Sequence, residues 1–191
     1  LGFKRFYFTD NTFNMPPSYA LKLCRLIIEK NLDISWVCIL YPGNIDEELI
    51  STMAEAGCRE VSLGFESGCE KILSIMNKKF SPADVRRASE LLARYKIKQI
   101  GFLLLGGPGE TTATVEKSFR FADSLPLDAL KITIGIRIYP HTELARTAVA
   151  DGLIAQNDNL LRPRFYLVPG LEGWLRETTA AWMAQNPHWS F

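Results

Sequence analysis

The sequence predicts an α/β fold built on a parallel sheet, and three observations lead to that prediction. Apolar strand patterns alternate with helical patterns five times along the chain, as expected of parallel strands joined by right-handed crossovers. The run Phe102–Leu105 places four bulky apolar residues in succession, which suits a strand buried on both faces. At 191 residues, 47% of them hydrophobic and 23% charged, the chain can bury one sizeable core. A partial barrel and a doubly wound sheet both fit this alternation, and periodicity does not choose between them.

The first half of the chain is predicted to hold three strands, each rich in aromatic or β-branched residues and bounded by turn residues. They are Arg5–Thr9, Ser35–Leu40 and Glu60–Gly64. Asn44 is predicted to cap the helix after the second strand, and Gly57 to end it. A short helix near residues 69–76 follows the third strand, and Ser81 opens a longer helix in front of the fourth.

The second half continues the same alternation. The fourth strand, Lys98–Leu105, stops at a glycine-proline-glycine loop, and Thr111 or Thr112 is predicted to cap the helix behind it. A fifth strand is predicted over Ala129–Ile138, followed by a helix near residues 142–150. One more helical segment, near residues 172–184, lies in a carboxyl-terminal extension.

Composition and charge exclude several classes of partner. The formal net charge is +1, so nothing indicates a nucleic-acid tract or an electrostatic membrane patch. No apolar stretch approaches the length of a membrane span, and the amino end lacks a signal-peptide pattern. The cysteines are Cys24, Cys38, Cys58 and Cys69. Their spacing matches no zinc or redox motif, which predicts reduced structural thiols in a cytoplasmic protein, and neither histidine has a partner at metal-ligand spacing.

Residues suited to chemistry cluster just after four of the strands. They are Asp10, Asn11 and Asn14, then Glu66 and Ser67, then Gly106, Gly107, Gly109 and Glu110, and finally Arg137, Tyr139 and His141. Because parallel strands end at one rim, these groups are predicted to lie there together. Carboxylates beside hydroxyl, amide and exposed backbone groups suit the hydroxyls and ammonium of a ribose and an amino acid.

Purely structural roles fit the same residues, and both interpretations stay open from the residues alone. Asp10 and Asn14 suit Asx turns. Glu66 and Glu110 each precede a helix that they would cap. Arg137 suits a buried ion pair.

Taken together, the segments at four of these strand ends resemble those of the radical S-adenosylmethionine superfamily. The segments that carry the resemblance are Phe8–Asn14, Val61–Gly68, Gly106–Thr111 and Arg137–Thr142. Their order and spacing resemble the group whose full-length members carry an amino-terminal cobalamin-binding domain. That group includes the P-methylase and magnesium-protoporphyrin ester cyclase types.

The resemblance implies a partial (βα)6 TIM-like barrel, here its strands two to six in residues 1–150, with a carboxyl-terminal helical extension in residues 151–191. It also implies a site for S-adenosylmethionine. Asp10, Asn11 and Asn14 fall near the methionine end, and Glu66 and Ser67 near the ribose and methionine. The backbones of Leu105, Gly106 and Gly107 and of Ile138 and Tyr139 fall near the adenine, and Arg137 is a further cofactor-binding candidate. In such enzymes a [4Fe-4S] cluster donates an electron, and the resulting 5′-deoxyadenosyl radical abstracts hydrogen from a small-molecule substrate.

One departure from the family is large, because the C-x-x-x-C-x-x-C loop that holds the cluster does not occur in this sequence. We therefore expect a fragment whose cluster-binding segment, and a cobalamin-binding domain where one exists, lie upstream of Leu1. On that expectation the chain alone is inactive, and cobalamin-dependent methyl transfer and oxidative cyclisation are both candidate reactions of the whole protein. The first strand would then lie at an exposed sheet edge, which makes homodimerisation through that edge a further hypothesis.

Two other functions fit the residues. The loop Gly106–Gly109 suits a phosphate ligand in an ordinary (βα)-barrel enzyme, although the loop contains no lysine. A barrel-like module that serves only in binding or scaffolding is the other alternative.

Overall fold

The computed structural model describes residues 2–190, so Leu1 and Phe191 lie outside the described residues. The strands are β1 (Arg5–Tyr7), β2 (Ser35–Leu40), β3 (Cys58–Glu66), β4 (Lys98–Leu105), β5 (Ala129–Ile134), β6 (Ile136–Arg137), β7 (Phe165–Tyr166) and β8 (Trp189–Ser190). The helices are α1 (Pro17–Glu29), α2 (Glu47–Glu55), α3 (Glu70–Ile75), α4 (Pro82–Arg94), α5 (Thr112–Asp123), α6 (Glu143–Ala150) and α7 (Glu172–Met183).

The strand order is that of a partial barrel and not that of a doubly wound sheet. Six strands lie in the order β1-β2-β3-β4-β5-β8, and every neighbouring pair is parallel. Because crossovers between parallel strands are right-handed, a strand order that never reverses places the helices on one face of the sheet. The predicted partial TIM-like barrel is therefore confirmed.

The two faces of β4 differ in burial, which identifies the face that the helices cover. Leu103 and Leu105 are buried, and the buried Gln99 accepts a hydrogen bond from Ser89 of α4 at 2.6 Å. Phe102 on the opposite face is only half-buried. The predicted burial of this strand on both faces is thus wrong for the inner face, where Ile100, Phe102 and Leu104 are only half-buried.

Most predicted helix boundaries are confirmed. Ser81 and Thr111 each form a capping box at the start of α4 and α5. The predicted cap Asn44 is wrong, because the N-cap of α2 is Asp46, whose side chain accepts the Leu49 N–H at 2.8 Å. A carboxylate at this position also interacts favourably with the positive end of the helix dipole, which an asparagine two residues earlier cannot do.

The carboxyl-terminal part of the chain returns to the sheet. The predicted fifth strand breaks at Gly135, which has a φ of +86° and donates its N–H to the Leu105 carbonyl at 2.8 Å. After the break, β6 pairs antiparallel with β7. Helix α7 packs against α5, where the Trp182 ring stacks on Phe119 at 4.0 Å and donates to Asp123 at 3.2 Å. The predicted helical extension is confirmed, and its boundary at residue 150 stays a prediction.

Two further predictions concern the surfaces of the molecule. Within residues 2–190, strand β1 pairs with β2 alone and all three of its residues are exposed, so it is an edge of the sheet as predicted. Dimerisation through this edge stays a hypothesis. Among residues 2–190, no helix has the length and apolarity needed to cross a membrane.

Candidate functional site

A cleft of about 400 Å³ opens at the carboxyl ends of the central strands. We call it the rim cleft. Its lining comes from the end of α3, the end of β4 with the loop behind it, β6, and the first turns of α6: Ile75, Met76, Asn77, Lys78, Leu104, Pro108, Ile136, Thr142, Glu143, Leu144 and Thr147. Most of these are apolar, and the size falls in the range of small-molecule sites.

Glu66 lies beside this cleft and is held there by Lys78. The Lys78 Nζ lies 3.0 Å from the Glu66 Oε1, and the two side chains are only 33% and 21% exposed. Glu66 has a φ of +61°, and the pairing of β3 with β4 shifts register between Gly64 and Glu66. A positive φ at a non-glycine residue costs free energy, so the surrounding structure must hold Glu66 in this conformation. The irregular end of β3 therefore fixes the position of its carboxylate. The alternative role of Glu66 as a helix cap is wrong, since Cys69 occupies the cap position of α3.

Ser67 is fully buried and is used within the turn after β3. Its Oγ accepts the Cys69 N–H at 3.1 Å and lies 3.0 Å from the Ser118 Oγ in a hydrogen bond. Ser118 in turn accepts the Gly68 N–H at 3.1 Å. The Ser67 hydroxyl therefore fixes the turn that carries Glu66 and presents no surface to a ligand in this conformation.

The loop after β4 is held from within by Glu110. One carboxyl oxygen accepts the N–H groups of both Gly106 and Gly107, the latter at 3.1 Å. The Gly106 carbonyl accepts the Val168 N–H at 2.9 Å. Since these backbone groups already have partners, a ligand would meet the loop mainly through van der Waals contact. A carboxylate already occupies the N–H groups that a phosphate would need, which argues against the phosphate-loop alternative.

The Glu110 carboxyl itself is almost completely buried. It is 5% exposed, and its second oxygen has no hydrogen-bond partner among the described residues. Burial raises its pKa to about 7, while the N–H groups of Gly106 and Gly107 oppose that rise. The buried carboxyl is therefore protonated more readily than an exposed glutamate.

The glycines of this loop are required by packing. Gly106 has a φ of +88°, and a Cβ there would lie 2.1 Å from the Leu167 side chain. A Cβ on Gly107 would lie 2.8 Å from Ile136. The segment after residue 150 therefore closes over the back of the loop, and glycine is the residue that leaves room for it.

The polar residues after β1 lie away from the rim cleft, because β2 and β3 separate β1 from β4. Asp10 and Asn11 are exposed, whereas Asn14 is fully buried. The Asn14 side chain donates to the Tyr41 carbonyl and accepts the Tyr41 N–H, both at 2.8 Å. Asn14 thus ties the ends of β1 and β2 together, and none of the three residues lines the cleft.

The residues at the end of β6 and just after it differ in exposure. Ile138 is buried, and its N–H donates to the Arg164 carbonyl at 2.8 Å. Arg137 and Tyr139 are exposed, with the guanidinium 4.9 Å from the ring centroid. The alternative of a buried ion pair for Arg137 is therefore wrong, and the neighbours Ile136 and Thr142 reach the cleft instead.

The cysteines of residues 2–190 do not fit an iron–sulfur cluster. Cys24, Cys38 and Cys58 lie on α1, β2 and β3, Cys69 lies at the N-cap of α3, and all four are buried and free of disulfides. Burial raises the pKa of Cys24 to about 12, and the hydrogen bond with Cys58 together with burial also raises the pKa of Cys38. Cluster ligands are thiolates, which the surroundings of Cys24 and Cys38 disfavour. Within residues 2–190 no group of three or more histidine, cysteine or acidic side chains is placed to hold a metal ion.

The chain is similar to known proteins in both sequence and fold. The profile of the Radical SAM superfamily matches residues 1–122. An uncharacterized methyltransferase of Pyrococcus horikoshii is 31% identical over 153 residues, 80% of this chain and 33% of that protein. The cytidylyl-2-hydroxyethylphosphonate methyltransferase of Streptomyces wedmorensis is 26% identical over 183 residues, 89% of this chain and 34% of that protein.

Among solved structures, the chain is similar to TsrM from Kitasatospora setae, a radical S-adenosylmethionine methyltransferase. With tryptophan substrate and an S-adenosylmethionine analogue bound, TsrM matches with a TM-score of 0.79 and 20% identity, over 93% of this chain and 42% of that one. Another TsrM structure has cobalamin and a [4Fe-4S] cluster bound. Identity at this level shows the fold alone. The chain spans about a third of the length of the two methyltransferases whose sequences it matches.

Proposed function

This chain belongs to the radical SAM superfamily, and on that premise we propose that its rim cleft binds S-adenosylmethionine. The predicted family is thereby confirmed, and the family implies S-adenosylmethionine and a [4Fe-4S] cluster as cofactors. The observation that carries the proposal is the Glu66–Lys78 pair at the edge of an apolar cleft. One wall of this cleft suits a flat base, and the charged pair suits a zwitterion.

The pair provides both signs of charge that the methionine end requires. We propose that Lys78 binds the ligand carboxylate and that Glu66 binds the ammonium group or the ribose hydroxyls. Leu104, Pro108 and Ile136 would contact the adenine through their apolar surfaces. The backbone of Leu105, Gly106 and Gly107 would shape that wall without donating hydrogen bonds.

The other predicted residues have supporting roles in this proposal. Asp10 and Asn11 extend from the end of β1 and would reach the methionine end from the far side of the rim. Asn14 and Ser67 hold the turns from which the polar groups project. Arg137, Ile138 and Tyr139 bring Ile136 and Thr142 to the cleft.

For the whole protein we propose a radical S-adenosylmethionine enzyme that acts on a small molecule, with methyl transfer supported by the methyltransferases it resembles. A cluster and, by analogy with TsrM, cobalamin would be held by residues outside this chain and would supply the electron and the methyl carrier. The four buried cysteines support the proposal that the chain alone does not cleave S-adenosylmethionine. Formation of deoxyadenosine by this chain, after reconstitution with iron and sulfide, would overturn that proposal.

Binding of S-adenosylmethionine to the chain tests the site directly by isothermal titration calorimetry. Glu66→Gln and Lys78→Met are each expected to weaken binding by about tenfold or more, because each removes a charge-assisted hydrogen bond. The exposed neighbours supply matched controls, and Glu70→Gln and Lys79→Met should bind as the parent chain does. Equal affinities in all five proteins, or no binding to the parent chain, would contradict the assignment.

A further inference from the structure

A row of residues on the inner face of the sheet lies outside the lining of the rim cleft. Strand register places Gly64, Phe102, Lys131 and Ser190 side by side across β3, β4, β5 and β8. They lie on the face opposite the helices, because the residues of β4 that alternate with Phe102 are the ones packed against α4 and the core. We call these four residues the inner row.

Lys131 supplies a positive charge to the middle of this row. Its side chain is exposed, and its Nζ lies 5.8 Å from the centroid of the Phe102 ring. None of the ion pairs among residues 2–190 involves Lys131. Its neighbours in register are an aromatic ring and a serine hydroxyl, so this ammonium is available to an anion.

Phe102 supplies a planar wall beside that charge. The ring is half-buried, and its neighbour on the other side is Gly64. A Cβ built on Gly64 would meet only the Glu66 Oε1, at 3.4 Å. Apart from the Glu66 carboxylate, no described atom lies within 4 Å of that Cβ position, so no side chain of β3 covers this side of the ring.

The inner row lies next to the rim cleft. Leu104, which lines the cleft, is the next inward-facing residue of β4 after Phe102. Inward-facing neighbours on one strand are about 7 Å apart. A molecule on the inner row would thus lie one residue layer below a molecule in the cleft.

We propose that the inner row is the substrate subsite and that the substrate joins a planar ring to an anionic group. Phe102 stacks on the ring above Gly64, while Lys131 and the Ser190 hydroxyl bind the anion. The proposal rests on the function proposed above, because it places the substrate beside S-adenosylmethionine. It adds the chemical class of the substrate and the residues that select it.

The affinities of two ligands of nearly equal shape distinguish this subsite from a lysine that is only solvated. Indole-3-acetate carries the anion, whereas indole-3-acetamide replaces it with a neutral amide. The chain is expected to bind the acetate about five times more tightly, because a partly exposed charge pair contributes at most about 1 kcal/mol. Titrations followed by NMR of ¹³C-methylated lysines would report the affinity and identify the lysine that responds.

Lys131→Met should bind both ligands equally, while Lys98→Met, on the same face but level with Glu60, should keep the preference of the parent chain. Equal binding of the two ligands by the parent chain, absence of binding, or a preference that survives Lys131→Met would each overturn the subsite. S-adenosylmethionine is titrated into the same samples. If the parent chain prefers the acetate but does not bind S-adenosylmethionine, the result counts against the rim cleft. If the parent chain binds S-adenosylmethionine but does not prefer the acetate, the result counts against the inner row.

Discussion

Replacing Glu110 with alanine is expected to lower the free energy of unfolding by about 2–5 kcal/mol. The substitution leaves the N–H groups of Gly106 and Gly107 buried without an acceptor, and each such group costs about 1–3 kcal/mol. Loss of the oxygen that already lacks a partner returns part of that energy. Urea denaturation followed by circular dichroism would measure the change, and a loss below 1 kcal/mol would contradict the role assigned to this carboxyl.

The pH dependence of stability provides an independent check on the same group. Because the folded-state pKa is raised from 4.5 to about 7, the protonated carboxyl stabilises the fold below pH 4.5, and this contribution disappears as the pH rises through 7. The stability of the parent chain relative to Glu110→Gln should therefore fall by about 3 kcal/mol across that interval. Glu55→Gln, at an exposed position, should track the parent chain throughout. A constant difference between the parent chain and Glu110→Gln would show that the buried carboxyl does not titrate there.

Weakening this loop should also affect the proposed cofactor site. Pro108 lines the rim cleft, and its position depends on the Gly106–Gly107 backbone that Glu110 holds. Glu110 thus acts on a ligand only through the loop and belongs to the positioning residues. Its role explains why a carboxylate follows the glycines without being a ligand itself.

Sequence patterns predicted where the polar residues lie, because strand ends are local features. The run Lys98–Leu105 and the glycine loop behind it mark one rim position, and Glu66 marks the next. Once the strands are parallel, these positions must lie at one edge of the sheet. The resemblance to the family adds the proposal that this rim binds S-adenosylmethionine.

Sequence patterns did not predict what those residues bond to, because the partners come from distant parts of the chain. Ser67 pairs with Ser118, and Asn14 with the Tyr41 backbone, so two predicted ligand residues are occupied inside the protein. Lys78 was missed because an exposed-looking lysine behind a short helix carries no local signal of an ion pair. Its salt bridge with Glu66 depends on how α3 returns to the rim.

The carboxyl-terminal segment offers the second large expected effect. Trp182→Ala should lower the free energy of unfolding by about 3–5 kcal/mol and the melting temperature by about 10 °C. The indole is 9% exposed, stacks on Phe119 and lies 4.2 Å from the ring of Trp189, so its loss opens a cavity between α5 and α7. Differential scanning calorimetry would give both quantities.

The conservative variant Trp182→Phe separates packing from hydrogen bonding. It keeps a ring against Phe119 but loses the N–H that donates to Asp123, and it should lose about 1–2 kcal/mol. If residues 151–191 share one core with the barrel, as the pairing of β8 with β5 indicates, Trp182→Ala lowers the single transition of the whole chain. A main transition that stays at the parent temperature while a small second transition moves would instead show that the extension unfolds separately from residue 150 onward.

The inner row depends on the same result, because Ser190 is held beside Lys131 by the strand that follows α7.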